Sequence, residues 1–380
     1  MWKLARDSGR KYEVLFGQVP AVKGLLETCR HDKLDLRGQL DRAREQNWVL
    51  EQRREVERGG EIDLPADVQD ALQIRAKLSR DDIEVWRLRD SRPLPHLRDR
   101  LLASGLIILT IGNLKGGVGK TTITANLAAY LARKLGKRVL IIDLDYQGSL
   151  SATMLQLAGK TIQTSIADYL IGGQATGRTL VESAIQISKV HQNVHIIPSG
   201  YTLAAVEEQL MMRWLFHTTD KDVRFNLAEV LLSEEVRAAF DVVLLDVGPR
   251  LTTASISALC ASTHFLVPTN LDKLSAETIG SFLNRVRALK EGLGLPIELA
   301  GVVGTMSYYD ALNDDEKEAL ATIREGLRQW GPDAHVFERT IPRKKVLADV
   351  AGSDVGYLKN REVRTIFDTL GQQVATRIGL

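Results

Sequence analysis

The sequence predicts an α/β protein, a mostly parallel twisted sheet flanked by helices, with an all-α extension ahead of it. Three observations carry that prediction. From residue 106 onward, short β-branched apolar runs alternate with helical stretches, the pattern of strands joined by crossover helices. Near Gly105 the composition changes, from a stretch dense in Arg, Asp, Glu and Gln to that alternation. The chain's 380 residues, 44% hydrophobic and 26% charged, suffice for about two packed domains and are unlike a disordered or disulfide-rich composition.

The extension, residues 1–105, reads as helices. Val22, Leu25, Leu26 and Cys29 recur at helical spacing, and Leu36, Leu40, Ala43 and Leu50 continue it after a break at His31-Asp32. Pro65 suits the first turn of a helix, and Ser79-Arg80-Asp81-Asp82 forms a capping box ahead of Ile83, Trp86 and Leu88. Its near-balanced charge favours a helical bundle or coiled-coil dimerisation arm; a helix-turn-helix that reads DNA is the alternative. Pro93, Pro95 and Ser104-Gly105 set the boundary at 93–105.

In the second domain, 106–380, strands are expected at 106–111, 138–142, 194–197, 241–245, 264–268 and 299–304. Helices are expected at 121–135, 202–215, 273–291 and 313–329. Ligands of such sheets sit at the carboxyl ends of the strands.

Charge and cysteine content narrow the function classes. Formal net charge is +2, from 50 Lys+Arg against 48 Asp+Glu, so no global field draws nucleic acid or acidic lipid, and such a partner must meet a local patch. Cys29 and Cys260 are far apart, which indicates neither a zinc ribbon nor a disulfide framework and fits a reducing cytosol. The longest apolar runs, 106–109 and 242–245, are too short to span a bilayer. His191 and His195 lack a third ligand nearby in sequence, which disfavours a metal chelate.

The first strand ends in Gly112-Asn113-Leu114-Lys115-Gly116-Gly117-Val118-Gly119-Lys120-Thr121-Thr122, and a helical run follows at once. The strict G-x-x-x-x-G-K-[ST] spacing requires glycine at position 114, where this chain has leucine. The physics survives that departure. Gly116, Gly117 and Gly119 let backbone N–H groups turn inward around an anion, and the helix aims its positive end at the same point. Lys120 reaches β- and γ-phosphates, and Thr121 presents a hydroxyl to Mg2+. Lys115 adds a second cation at the loop's start.

On these residues the chain resembles the ParA/MinD family of deviant Walker A P-loop ATPases, whose loops read Lys-Gly-Gly-x-Gly-Lys-[Thr/Ser]. It looks closest to ParA-like partition ATPases with an N-terminal extension. The resemblance implies ATP and Mg2+, bound by Lys115, Gly116, Gly117, Val118, Gly119, Lys120, Thr121 and Thr122. It also implies that Lys115 crosses to a partner subunit's nucleotide, making a homodimer on ATP binding.

The second strand's Asp143-Leu144-Asp145-Tyr146-Gln147-Gly148 looks like the family's Asp-x-Asp-Pro-Gln-Gly, with Tyr146 in place of proline. By that likeness Asp145 positions or activates water and Asp143 supports the metal shell. The run ending in Asp246-Val247-Gly248-Pro249 looks like a Walker B strand, giving Asp246 to the Mg2+ shell. At weaker specificity, Gly301 to Met306 and Thr340-Ile341-Pro342-Arg343 look like family segments, with Thr305 and Pro342 beside the adenine. Arg343, Lys344 and Lys345 form a basic cluster that faces DNA in ParA-like proteins, although such a triplet is also ordinary solvated surface. The acidic stretch Asn313-Asp314-Asp315-Glu316 weakens a nonspecific DNA contact.

The implied activity is slow hydrolysis of ATP to ADP and phosphate, stimulated by a partner protein of the centromere-binding type, for DNA partition or cargo positioning in the cytoplasm and on the nucleoid. Two other readings stand beside it. In one, an ATP-switched scaffold recruits a protein through the helical arm without DNA. In the other, a small-molecule kinase uses the same loop and does not depend on Lys115.

Overall fold

A computed structural model describes Trp86, Arg92 and residues 94–380, apart from 173–174, 217–220, 308–311, 329, 332–333, 344–346 and 348–353. The helices expected before Trp86, with their capping box, and the Lys344-Lys345 pair lie outside the described residues. The chain divides into two compact units, Met1–Gln69 and Asp70–Leu380, and every described residue belongs to the second.

Eight strands form one sheet: β1 (Ile107–Ile111), β2 (Val139–Leu144), β3 (Ile185–Gln186), β4 (Val194–Ile197), β5 (Val242–Val247), β6 (His264–Asn270), β7 (Glu298–Ser307) and β8 (Ile341–Pro342). Their order is β3-β4-β2-β5-β1-β6-β7-β8. All neighbours run parallel except β3, which pairs antiparallel with β4. The helices are α1 (Leu97–Ala103), α2 (Lys120–Lys134), α3 (Ser149–Ala158), α4 (Ile166–Leu170), α5 (Gly177–Ser183), α6 (Thr202–Phe216) and α7 (Asn226–Leu231). They continue with α8 (Glu234–Ala239), α9 (Thr253–Ala261), α10 (Lys273–Leu293), α11 (Asp314–Leu327), α12 (Gly356–Lys359) and α13 (Arg361–Arg377). Each expected strand and helix of 106–329 is present; the two-residue edges β3 and β8 and the shorter helices α3, α4, α5, α7, α8 and α9 are additions.

Period-two alternation sorts the strand side chains into two cores. Ile108, Leu140, Ile142, Val243 and Leu245 face one layer, which α9 and α10 cover. Leu109, Ile111, Val139, Ile141 and Leu244 face the other, under α2 and α13. Continuous apolar runs are what strands buried on both faces need. Each fully buried Leu, Ile or Phe stabilises the fold by roughly 1.5–3 kcal/mol. α13 lies so close to α2 that a Cβ on Gly371 would overlap the Tyr130 ring.

Trp86, expected on an extension helix, is fully buried in the first of these cores with Leu97 and Leu101. The expected boundary at 93–105 therefore falls within the second compact unit. Around Trp86 sits a buried ion pair. Arg224 donates from Nε and Nη2 to Asp222 at 2.8 and 2.6 Å, and from Nη1 to the Trp86 carbonyl at 2.5 Å. Its guanidinium lies 4.2 Å from the Trp214 ring centre, and the Arg92 amide donates to Asp222 at 3.2 Å. Leu210 and Trp214 pack inward, whereas Met212 is half exposed.

Candidate functional site

The loop from Gly112 to Gly119 turns between β1 and α2 at the carboxyl edge of the sheet. Gly117 and Gly119 have φ of 71° and 79°, a region that costs other residues roughly 1–2 kcal/mol. A Cβ added at Gly116, Gly117 or Gly119 meets no atom within 4 Å. The glycines thus border open space, as an anion cradle requires. α2 begins at Lys120 directly behind them and offers first-turn amides and a positive dipole end. Val118 is fully buried and fixes the loop's inner side.

Lys120 is buried, and its Nζ donates to the Lys115 carbonyl at 3.1 Å across the loop. Burial lowers its pKa from the ordinary lysine value, against the pull of Asp246 and Asp145. A polyanion in the cradle offsets that cost. Lys115 points elsewhere in the single chain. Its Nζ donates to Asp272 Oδ2 at 3.0 Å and to Ser275 Oγ at 2.5 Å, at the start of α10. Asp272 is the N-cap of that helix and accepts the Ser275 amide at 2.8 Å. Burial raises the Asp272 pKa, but the Ser275 amide and the Lys115 ammonium outweigh it and hold the carboxyl below its usual range.

Three further predicted residues converge beside the loop. Thr121 Oγ1 donates to Asp246 Oδ2 at 2.8 Å, and Thr124 Oγ1 lies 3.3 Å from Asp246 Oδ1. Asp143 and Asp246 are register partners on β2 and β5, both essentially without solvent exposure. Burial pushes both carboxyls above the usual range, and Asp143 adds repulsion at Asp246. A hydroxyl with buried carboxylates is a hard-oxygen donor set that suits Mg2+, and a divalent cation relieves that repulsion.

Asp143 accepts three bonds from its own loop: the Asp145 amide at 3.1 Å, and the Ser151 amide and hydroxyl at 2.8 and 2.7 Å. Asp145 is half-buried, and its Oδ1 accepts the Gln147 amide at 3.0 Å. Gly248 faces it, and a Cβ there would come within 3.4 Å of the carboxyl group. Thr122 follows Thr121 in α2, its carbonyl accepting Asn126 Nδ2 at 2.7 Å. Thr305 and Pro342 stand on β7 and β8, two and three strands from β1, and are not drawn into this cluster. Thr305 Oγ1 donates to Asn270 Oδ1 at 3.2 Å. Arg343 is exposed, its amide held by the Ser307 carbonyl at 2.7 Å.

Sequence reasoning missed several residues. Asn113 is buried; its Nδ2 donates to the Pro268 carbonyl at 2.7 Å and its Oδ1 accepts the Lys115 amide at 3.0 Å, bracing the loop against β6. Its place just before the glycine loop was the only available signal. Glu207 of α6 accepts the Ala254 amide at 3.1 Å at the start of α9, and burial raises its pKa. Ser151, Asp272 and Ser275 gain their roles from contacts that no spacing rule reveals.

A strand that runs into a glycine loop and a helix, with acidic strand ends behind, defines a P-loop nucleotide-binding protein. The chain belongs to the ParA/MinD-like P-loop ATPases: a family model described as an AAA domain matches residues 106–298. The sporulation initiation inhibitor protein Soj of Bacillus subtilis is 30% identical over 242 residues, 64% of this chain and 86% of that protein. The chromosome partitioning protein ParA of Caulobacter vibrioides is 30% identical over 241 residues, 63% and 82% of the two chains. Among solved structures, cobyrinic acid a,c-diamide synthase of Mycobacterium smegmatis, with a bound ATP analogue and magnesium, aligns at a TM-score of 0.52 and 25% identity. That alignment covers 65% of this chain and 91% of the synthase.

Proposed function

We propose that this ParA-like ATPase binds ATP with Mg2+, pairs face to face with a second copy, and hydrolyses the nucleotide to drive DNA partition or cargo positioning. One observation carries the reading. Lys120, Thr121 and the buried carboxylates of Asp143 and Asp246 gather around an open glycine cradle whose entrance bears a second cation, Lys115.

The nucleotide is ATP and the metal is Mg2+. Amides of Gly116, Gly117, Val118 and Gly119 and the side chains of Lys120 and Thr122 hold the phosphates, while Thr305 and Pro342 flank the adenine. Thr121 and Asp246 would hold Mg2+, with Asp143 supporting its shell, and the ion would supply charge neutralisation at the phosphates. Asp145 orients the attacking water. As water attacks the γ-phosphorus, the bond to the bridging oxygen breaks and ADP leaves; Lys120 offsets the charge that develops. Lys115 leaves α10 to reach the other subunit's nucleotide, so ATP joins the two copies.

Turnover is slow and accelerated by a partner of the centromere-binding type. Arg343, Lys344 and Lys345 meet DNA phosphates on the nucleoid, and the protein works in the cytoplasm. No helix among the described residues is long and apolar enough to cross a membrane.

The test is light scattering with a nonhydrolysable ATP analogue and Mg2+, run beside DNA retention at low salt. Wild type should dimerise, and Lys115→Ala should bind nucleotide yet stay monomeric. A wild type that stays monomeric overturns the dimer. Dimers that ignore duplex DNA at every salt concentration favour the protein-recruiting scaffold instead.

A further inference from the structure

We propose that Ser151 is a positioning residue for hydrolysis: acting through Asp143, it fixes the loop that carries Asp145. The inference rests on the role given to Asp145 above and adds what holds that residue in place.

The loop 145–151 closes on one buried carboxylate. At one end the Asp145 amide donates to Asp143 Oδ1 at 3.1 Å. At the other the Ser151 amide and hydroxyl both donate to Oδ2, at 2.8 and 2.7 Å. The Ser151 hydroxyl has a single proton to donate, and it donates it in the hydrogen bond to Asp143. Its oxygen in turn accepts the Ser199 amide at 2.7 Å, just beyond β4. Ser151 and Ser199 are each about 1% exposed, so no water replaces either bond. The hydroxyl thus ties three things together: the strand end bearing Asp143, the start of α3, and the segment after β4.

Between those anchors the loop is short and internally bonded. The Gly148 amide donates to the Asp145 carbonyl at 2.8 Å, and the Gln147 amide to Asp145 Oδ1 at 3.0 Å. Asp145 Oδ2 accepts no protein donor among the described residues, and the carboxyl group lies opposite Gly248, which carries no side chain. That oxygen is the one left to hold a water molecule. Its place depends on where the loop closes, and Ser151 sets the closure. The phosphate cradle is built on different atoms, so ATP affinity in the absence of Mg2+ does not share this dependence.

The experiment compares Ser151→Ala, Ser151→Thr and Asp145→Ala in the full-length chain. Ser151→Ala should lower kcat by roughly 10–100-fold, the range expected when a reacting group is misplaced by about an ångström. Its Kd for ATP measured with chelator in place of Mg2+ should stay within about twofold of wild type, because the cradle's own atoms are untouched. Ser151→Thr, which keeps the hydroxyl, should recover most of kcat. In the nucleotide-free protein, hydrogen exchange at the 145–148 amides should speed up in Ser151→Ala alone.

Normal turnover by Ser151→Ala beside an inactive Asp145→Ala overturns this inference. So does a parallel loss of kcat and Mg2+-free ATP affinity in both Ser151 variants, which marks a purely structural role. Normal turnover by Asp145→Ala instead overturns the reading of the site itself.

Discussion

Asn113→Ala tests the brace that sets the phosphate loop. The side chain is 7% exposed and makes two bonds, to the Pro268 carbonyl at 2.7 Å and from the Lys115 amide at 3.0 Å. A net bond is worth about 1 kcal/mol, and a buried partner left unpaired costs about 1–3 kcal/mol. The Pro268 carbonyl is buried, whereas the Lys115 amide lies on a half-open loop and regains water, so the loss should total about 2–4 kcal/mol. A domain with about 5–15 kcal/mol of stability still folds after such a change. Urea unfolding followed by circular dichroism measures the loss directly. ATP titration should show affinity reduced about tenfold, if re-ordering the freed loop costs about 1.4 kcal/mol. Asn113→Asp keeps the acceptor but sets a carboxylate against the Pro268 carbonyl, and should be at least as damaging. A loss under about 0.5 kcal/mol with unchanged ATP affinity would refute the brace, since it falls below the value of even one net bond.

Gly371→Ala should destabilise by about 1–3 kcal/mol in a thermal or urea melt, because the overlap with Tyr130 exceeds the gain in helix propensity of about 1 kcal/mol. Arg224→Ala should cost about 3–5 kcal/mol by urea denaturation, since it strands Asp222 as an unpaired buried charge. Asp246 should make the metal-free protein pH-sensitive. Burial and Asp143 raise its folded pKa, so the folded state keeps a proton that the unfolded chain releases above about pH 4. Stability therefore falls as pH rises from that point toward the raised folded value. With chelator present, Asp246→Asn should flatten the pH dependence of the urea midpoint, and an unchanged slope would contradict the shift.

The central strands and the glycine loop were legible because each has a local signature. β1, β2 and β5 are apolar on both faces, so they stand out as unbroken runs, and the loop's glycines meet a helix start at fixed spacing. β3 and β8 were not legible: two residues carry no period, and their pairing with His195 and Ser307 is set by the rest of the sheet. At the site, Asp143, Asp145 and Asp246 could be picked from strand ends, yet the sequence did not reveal that Asp143 spends its acceptors on its own loop. The same holds for Lys115, whose Asp272 partner lies 157 residues further along the chain. Trp86 shows the limit most clearly. Helical spacing placed it with the extension, while its indole packs 5.9 Å from Trp214 inside the sheet domain.

That last contact bears on how the protein can be cut. Arg224 takes its third acceptor from the Trp86 carbonyl, so a polypeptide started at the first strand would lack both that oxygen and the indole beside Trp214. The guanidinium would be left short of a partner and the Trp214 face laid open to water. A fragment of this ATPase that keeps the Arg224 contacts whole must therefore begin upstream of Trp86, some twenty residues before the point at which the sheet itself begins.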